Sequence, residues 1–345
     1  MSNDSKLLKD KEEVRKNGFR EVNNSVLKSN GEFRWPLYEG RMIGHFDHRS
    51  TSVGTSDTAT VRSGTSIPTE ESEYRNPAYS ASPRYWMKPE IVEEEVPEGY
   101  NRSWFIGYKD VTSPTNKRTL IAAFLPRLAV VYSIRIAFST HPHSCKLAGL
   151  VSNLNSFVCD YLTRQSIGGV HVSDHIAKQL PVHPPERYTP ELLEYIVPRV
   201  LELTYTAWDL AAFADDVWSE SGEALQSAIE AQWQENVQDT GGGHRGKQPP
   251  EWVERSDQAN EEFPHPPFMW DEERRVHLRA DLDGLYGHLY GLEREELAYI
   301  LDTFPIVKRK DEDEYGEYRT KRLVLEAYDE VEGSELIGEP ETVET

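Results

Sequence analysis

Apolar residues recur at helical spacing through Leu147, Leu150, Val151, Leu154, Phe157, Val158 and Tyr161, which predicts one helix with a single buried face. Asn153, Asn155, Asp160 and Arg164 occupy its polar face. Gly168-Gly169 is expected to end that helix, because glycine readily takes the left-handed backbone of a helix terminus. Ser173 is then placed to cap a short helix over Asp174–Leu180, closed by Pro181. The arrangement presents Arg164, Gln165, His171 and Lys178 along one edge.

Upstream, three apolar runs rich in Val, Ile and aromatics (Trp104–Tyr108, Thr119–Leu125 and Leu128–Phe138) predict strands, separated by turn formers such as Ser113-Pro114. Downstream the period becomes helical. Thr189 caps and Pro190 opens a helix that Pro198 is expected to break, with Ile196, Val200, Leu203, Ala207 and Leu210 on one face. Leu278, Leu282, Leu285 and Leu289 mark another helix ending at Gly291, followed by helices near Glu293–Leu301 and Gly316–Tyr328. A short helix near Ser5–Lys16 precedes a turn at Asn17-Gly18. The Ser/Thr-rich stretch 50–72 reads as a mobile loop. The Gly-, Pro- and Gln-rich stretch 219–270 reads as a surface excursion.

Charge changes the picture because it is unevenly placed. The net charge of −21 argues against a nucleic-acid partner until its distribution is read. Residues 1–190 hold 24 Lys and Arg against 21 Asp and Glu, whereas 191–345 hold 14 against 38. Segment 101–185 alone has 9 basic and 3 acidic residues, so a local basic surface sits in an acidic chain. Arg exceeds Lys by 24 to 14, and with the spread of carboxylates this suits a halophilic, very salty cytoplasm. Salt would weaken phosphate contacts there, leaving more of the affinity to base-edge hydrogen bonds. No run of 18 apolar residues and no signal-peptide pattern appear, so a cytoplasmic protein is expected. Cys145 and Cys159, the only cysteines, lack disulfide or zinc spacing.

Most candidate chemistry falls away on context. Asn76-Pro77-Ala78-Tyr79 is similar to the Asn-Pro-Pro-Tyr signature of adenine-N6 methyltransferases, whose Asn grips the target amino group. Neither a Gly-rich cofactor turn nor helix–strand alternation precedes it, and Ala replaces the second Pro. The pairs His45/His48 and His141/His143 lack a third ligand at metal-site spacing, and Gly241–Gly243 lacks the strand and Lys-Ser/Thr of a phosphate loop. Arg164-Gln165 beside Gly168-Gly169 is the better signal. Arg pairs bidentately with guanine and Gln with adenine, although Arg at a helix C-terminus also answers the helix dipole.

An ordered series of blocks carries a resemblance. It runs Leu37–Arg49 (LYEGRMIGHFDHR), Pro83–Trp86 (PRYW), Arg118–Arg127 (RTLIAAFLPR), Asn153–Tyr161 (NLNSFVCDY), Gly168-Gly169, Lys178–Pro181 (KQLP), Arg279–Asp283 (RADLD) and Ile300–Arg309 (ILDTFPIVKR). The series resembles the C-terminal, target-recognition half of large adenine-specific DNA methyltransferases. These include type IIG restriction–modification enzymes and methyltransferases of BREX- and DISARM-type phage defence. The resemblance covers nearly all of residues 15–330 and implies sequence-specific binding of double-stranded DNA. It also implies that catalysis and the S-adenosylmethionine cofactor belong to a partner methyltransferase polypeptide, with no cofactor in this chain. A truncated or split methyltransferase, and an assembly module without DNA affinity, are the alternatives.

The expected architecture is α+β. A polar segment 1–30 precedes a mixed α/β target-recognition domain at 31–187, then a mainly helical domain at 188–330 and an acidic disordered tail at 331–345. Arg41, His45, His48 and Arg49 are the candidate DNA contacts of the first block, with Arg118 and Arg127 near phosphates. Arg164, Gln165, Gly168, Gly169, His171, Ser173 and Lys178 are expected to flank or enter the groove.

Overall fold

Alternation on one strand organises the N-terminal half. In β8 (Trp104–Lys109), Trp104, Ile106 and Tyr108 face a helical layer while Phe105 packs on the other side with Ala123, Leu125 and Ile134. The computed structural model describes residues 8–22, 25–28, 31–54, 64–113, 116–334 and 336. Ahead of β8 come β1 (Lys9–Asp10), α1 (Lys11–Lys16), β2 (Phe19–Val22), β3 (Ser25–Lys28), β4 (Phe33–Tyr38), β5 (Thr51–Gly54), β6 (Thr65–Pro68), α2 (Glu71–Tyr74), β7 (Tyr85–Met87) and α3 (Pro89–Glu95). After it come β9 (Ala122–Pro126), β10 (Ala129–Val130) and β11 (Ile134–Ala137). One sheet has the order β1-β7-β4-β3-β2 with β10 parallel to β4, a second has β11-β8-β9, and β5 pairs with β6 alone. The chain is α+β.

Helices then dominate: α4 (Ser144–Asn155), α5 (Phe157–Ser166), α6 (Asp174–Ala177), α7 (Pro190–Thr204), α8 (Ala211–Glu220), α9 (Glu223–Asp239), α10 (Glu272–Leu289), α11 (Arg294–Asp302), α12 (Pro305–Tyr315) and α13 (Arg319–Val331). The largest apolar cluster runs from Phe46 and Trp104 through α4, α7 and α8 to Tyr286 and Val331, so sheet and helices share one core. Helices α10 and α13 meet closely at Gly284, where a Cβ would stand 2.6 Å from the Tyr328 amide nitrogen. No helix among the described residues is long and apolar enough to cross a membrane.

Several expectations are corrected. The helix over 147–161 is two helices, because Ser156 leaves helical geometry (φ −69°, ψ 150°) and its hydroxyl caps α5 by accepting the Cys159 N–H. The break turns Asn155 toward β9, where its amide group donates to the carbonyl and accepts the N–H of Ala122, each at 2.9 Å. Pro198 lies inside α7 without ending it. Packing of α7 on α9 and α4 outweighs an interior-proline penalty of about 3 kcal/mol. The stretch 219–270 contains the 17-residue α9 and the buried Phe263, Phe268 and Trp270. Stretch 50–72 contains the β5–β6 hairpin; its centre, 55–63, lies outside the described residues, as do 1–7 and nearly all of 335–345. Ser173 does cap α6, accepting the Ile176 N–H, and Thr189 caps α7.

Candidate nucleic-acid interface

Three of the arginines expected at DNA are interior supports. Arg49 is fully buried and donates to the carbonyls of Tyr74, Asn76, Tyr79 and Thr206 and to the Thr206 hydroxyl. It thereby clamps the Asn76–Tyr79 turn onto the helical half, and the Tyr79 hydroxyl is hydrogen-bonded to Ser52 at 3.0 Å. His48 is equally buried and lies 2.7 Å from Asp209. Neither side chain can reach a bound duplex. Arg118 and Arg164 converge on Asp160, which is wholly buried and also accepts the Thr119 N–H at 2.9 Å. Each guanidinium stacks 3.9 Å from an aromatic centre, Arg118 on Phe157 and Arg164 on Phe304. With side chains 10% and 8% exposed, they are held too firmly to contact bases.

Two further arginines are partly engaged. Arg127 pairs with Glu93 and donates to the Arg102 carbonyl. Arg41 pairs with Glu39 at 3.0 Å and reaches the hydroxyl of Ser66.

Arg164 is thus withdrawn from the expected edge, whose other members, Gln165, His171 and Lys178, are exposed. Helix α5 stops at Ile167 in extended backbone (φ −89°, ψ 117°), and neither Gly168 nor Gly169 takes a positive φ. The chain then lies against the end of β8. The Thr112 N–H donates to the Val170 carbonyl at 2.9 Å, the Val172 N–H donates to the Asp110 carbonyl at 2.8 Å, and Val111 bridges His171. His171 is held 3.0 Å from the Asp110 carboxylate, which also faces Arg135 at 3.5 Å. Gln165, Gly168, Gly169, His171 and Lys178 are all exposed, and Ser173 is half-buried as the cap of α6. A Cβ at either glycine would meet nothing within 4 Å, so these glycines leave the approach open.

Beside this edge opens a cleft of about 620 Å³ between the loop 116–121 ahead of β9, the α4–α5 junction and helices α10, α12 and α13. Five sequence blocks of the resemblance meet there, contributing His45, Arg118, Asn155, Arg279 and Val307 to its walls. His45 is hydrogen-bonded through Nε2 to the Leu120 carbonyl (3.1 Å), and burial together with Arg118 pulls its pKa well below the usual imidazole range. It is therefore neutral and donates through Nε2. Asp283 accepts the Phe157 N–H at 2.7 Å, and burial pushes its carboxyl up to about 6 against the pull of Arg118.

Lys117, Arg279 and Lys310 gather at the mouth, with Lys117 and Lys310 exposed. Desolvation first, then Arg279, Lys310 and Arg118, lower the Lys117 ammonium pKa, while Asp311 raises it. Arg164 joins mouth to edge by donating to the carbonyls of Asn116 (3.0 Å) and Lys117 (3.2 Å). Lys117, Arg279 and Lys310 are not among the candidates drawn from the sequence. The signals were there in Lys117-Arg118 ahead of a strand and in Lys308-Arg309-Lys310 within the acidic half.

Comparison of the chain with family models, curated proteins and solved structures gave no match. Among the described residues no cluster of three or more His, Cys, Asp or Glu is arranged to hold a metal ion.

Proposed function

We propose that this chain recognises a specific sequence in duplex DNA for an adenine-N6 methyltransferase whose catalytic domain, with its S-adenosylmethionine, is a separate polypeptide. The observation that carries the reading is the exposed stretch of Gln165, Gly168, Gly169, His171 and Lys178 beside a cleft that also holds Lys117, Arg279 and Lys310, in a chain of net charge −21. Bidentate readout of adenine needs a side chain that offers a donor and an acceptor together, and Gln165 does so, exposed and with no side-chain hydrogen bond among the described residues. Lys178 adds a point charge suited to the backbone. The convergence of resemblance-bearing blocks on the adjoining cleft supports the same reading.

The test is binding of duplexes by fluorescence anisotropy. Gln165→Ala is expected to narrow the difference between preferred and altered sites by about 1–3 kcal/mol at one base pair. Lys178→Ala is expected to weaken every duplex alike and to reduce the salt slope by about 1. Equal losses on all sequences for Gln165→Ala would remove it from readout.

An assembly module is the second reading. It is favoured by a groove of about 1400 Å³ beside β11 that exposes Val111, Tyr132 and Phe138. Co-purification with a methyltransferase chain, without DNA affinity at any salt, would select it.

A further inference from the structure

The cleft mouth combines three cations from separate elements: Lys117 from the loop before β9, Arg279 from α10 and Lys310 from α12. Four carboxylates share the cleft lining, Glu272, Asp283, Asp311 and Glu314, and none of them lies within ion-pair distance of Lys117 or Lys310 among the described residues. Glu272 takes Arg279 at 2.8 Å, Asp311 accepts the Thr320 N–H at 2.6 Å, Asp283 accepts the Phe157 N–H and Glu314 accepts the Tyr315 hydroxyl. Lys117 and Lys310 have no ion pair among the described residues, although most arginines of this acidic chain have one. Arg279, Lys310 and Arg118 all act against the Lys117 charge, with Asp311 opposing them, and an arriving anion relieves the repulsion among the cations. Lysine stems are long and rotatable, so they follow a phosphate as point charges where a fixed guanidinium fork would impose one geometry.

Size selects the ligand further. A cleft of about 620 Å³ admits a phosphodiester and its sugar, whereas a duplex must remain outside. The Arg164 bonds to the Asn116 and Lys117 carbonyls hold this mouth beside Gln165, so one duplex can meet both. Backbone contacts fix register while base contacts specify sequence. We propose that Lys117 and Lys310, backed by Arg279, form a phosphate subsite that holds one backbone phosphodiester of the bound duplex and sets the register of the Gln165 edge. This subsite rests on the DNA-recognition reading above.

The experiment uses the full chain and two readouts. Lysine acetylation by a limiting reagent is followed by mass spectrometry with no addition, with a nonspecific duplex, or with pyrophosphate. Lys117→Gln/Lys310→Gln is compared with the unaltered protein by anisotropy across salt, its fold being checked by thermal melting. The expected result is several-fold protection of Lys117 and Lys310 by the duplex, with the exposed Lys247 labelled at an unchanged rate. The salt slope of the double variant should fall by about 0.9, the counterion release of the one phosphate the two lysines share. Duplex binding with an unchanged slope and unprotected Lys117 would overturn the subsite and leave DNA recognition standing. Protection by pyrophosphate without duplex affinity would overturn the DNA assignment, and protection by neither would overturn both.

Discussion

Two groups of cations in this chain differ in how their charge is met. Arg49, Arg118 and Arg164 lie inside, each bonded to carbonyl oxygens and, for the latter two, to the buried Asp160. Lys117, Lys178 and Lys310 lie outside without ion pairs among the described residues. Guanidinium is planar, weakly hydrated and rich in directed donors, so it survives burial where carbonyls converge; ammonium is strongly hydrated and stays at the surface. Proximity to a candidate motif therefore does not distinguish an architectural cation from an available one. Unanswered charge does.

The largest expected effect comes from breaking the interior set. Asp160→Asn leaves Arg118 and Arg164 buried without their carboxylate and should destabilise the fold by about 3–5 kcal/mol, read by urea unfolding. A loss under 1 kcal/mol would show that the two arginines are satisfied by carbonyls and aromatic faces alone. Arg164→Lys keeps the charge but loses the fork that holds the Asn116 and Lys117 carbonyls. It should lower stability by about 1–3 kcal/mol and weaken duplex binding as the cleft mouth loosens, whereas unchanged DNA affinity would separate mouth from edge.

A smaller effect is a pH dependence. The folded-state pKa of Asp283 is about 6, above its ordinary 3.8, so the folded protein binds the extra proton between those values. Stability from this group is full below about pH 4 and falls as pH rises toward 6. Asp283→Asn should flatten the melting-temperature profile across that window while keeping the acceptor for the Phe157 N–H. A profile of unchanged slope would contradict the burial argument.

Class and strand content were legible because β8, β9 and β11 each carry a run of apolar, branched or aromatic residues. Helix α9 was missed: Leu225, Ile229, Trp233 and Val237 recur at four-residue intervals, but the Gly, Pro and Gln around them obscured the period. The break at Ser156 was harder to read. The apolar period runs straight through it, and only the capping hydroxyl and the pairing of Asn155 with β9 show why the chain turns. Burial of His48 and Arg49 could not be read at all, since their partners Asp209 and Thr206 lie far along the chain. Lys310 went unnoticed for the same reason, because its neighbour Lys117 comes from another layer.

The most direct test is selection of bound duplexes from a random-sequence pool by the purified full chain at low and at high salt. Enrichment of one motif containing adenine, retained at high salt and lost on Gln165→Ala, is the predicted result. A folded protein that enriches no sequence at either salt would contradict the account.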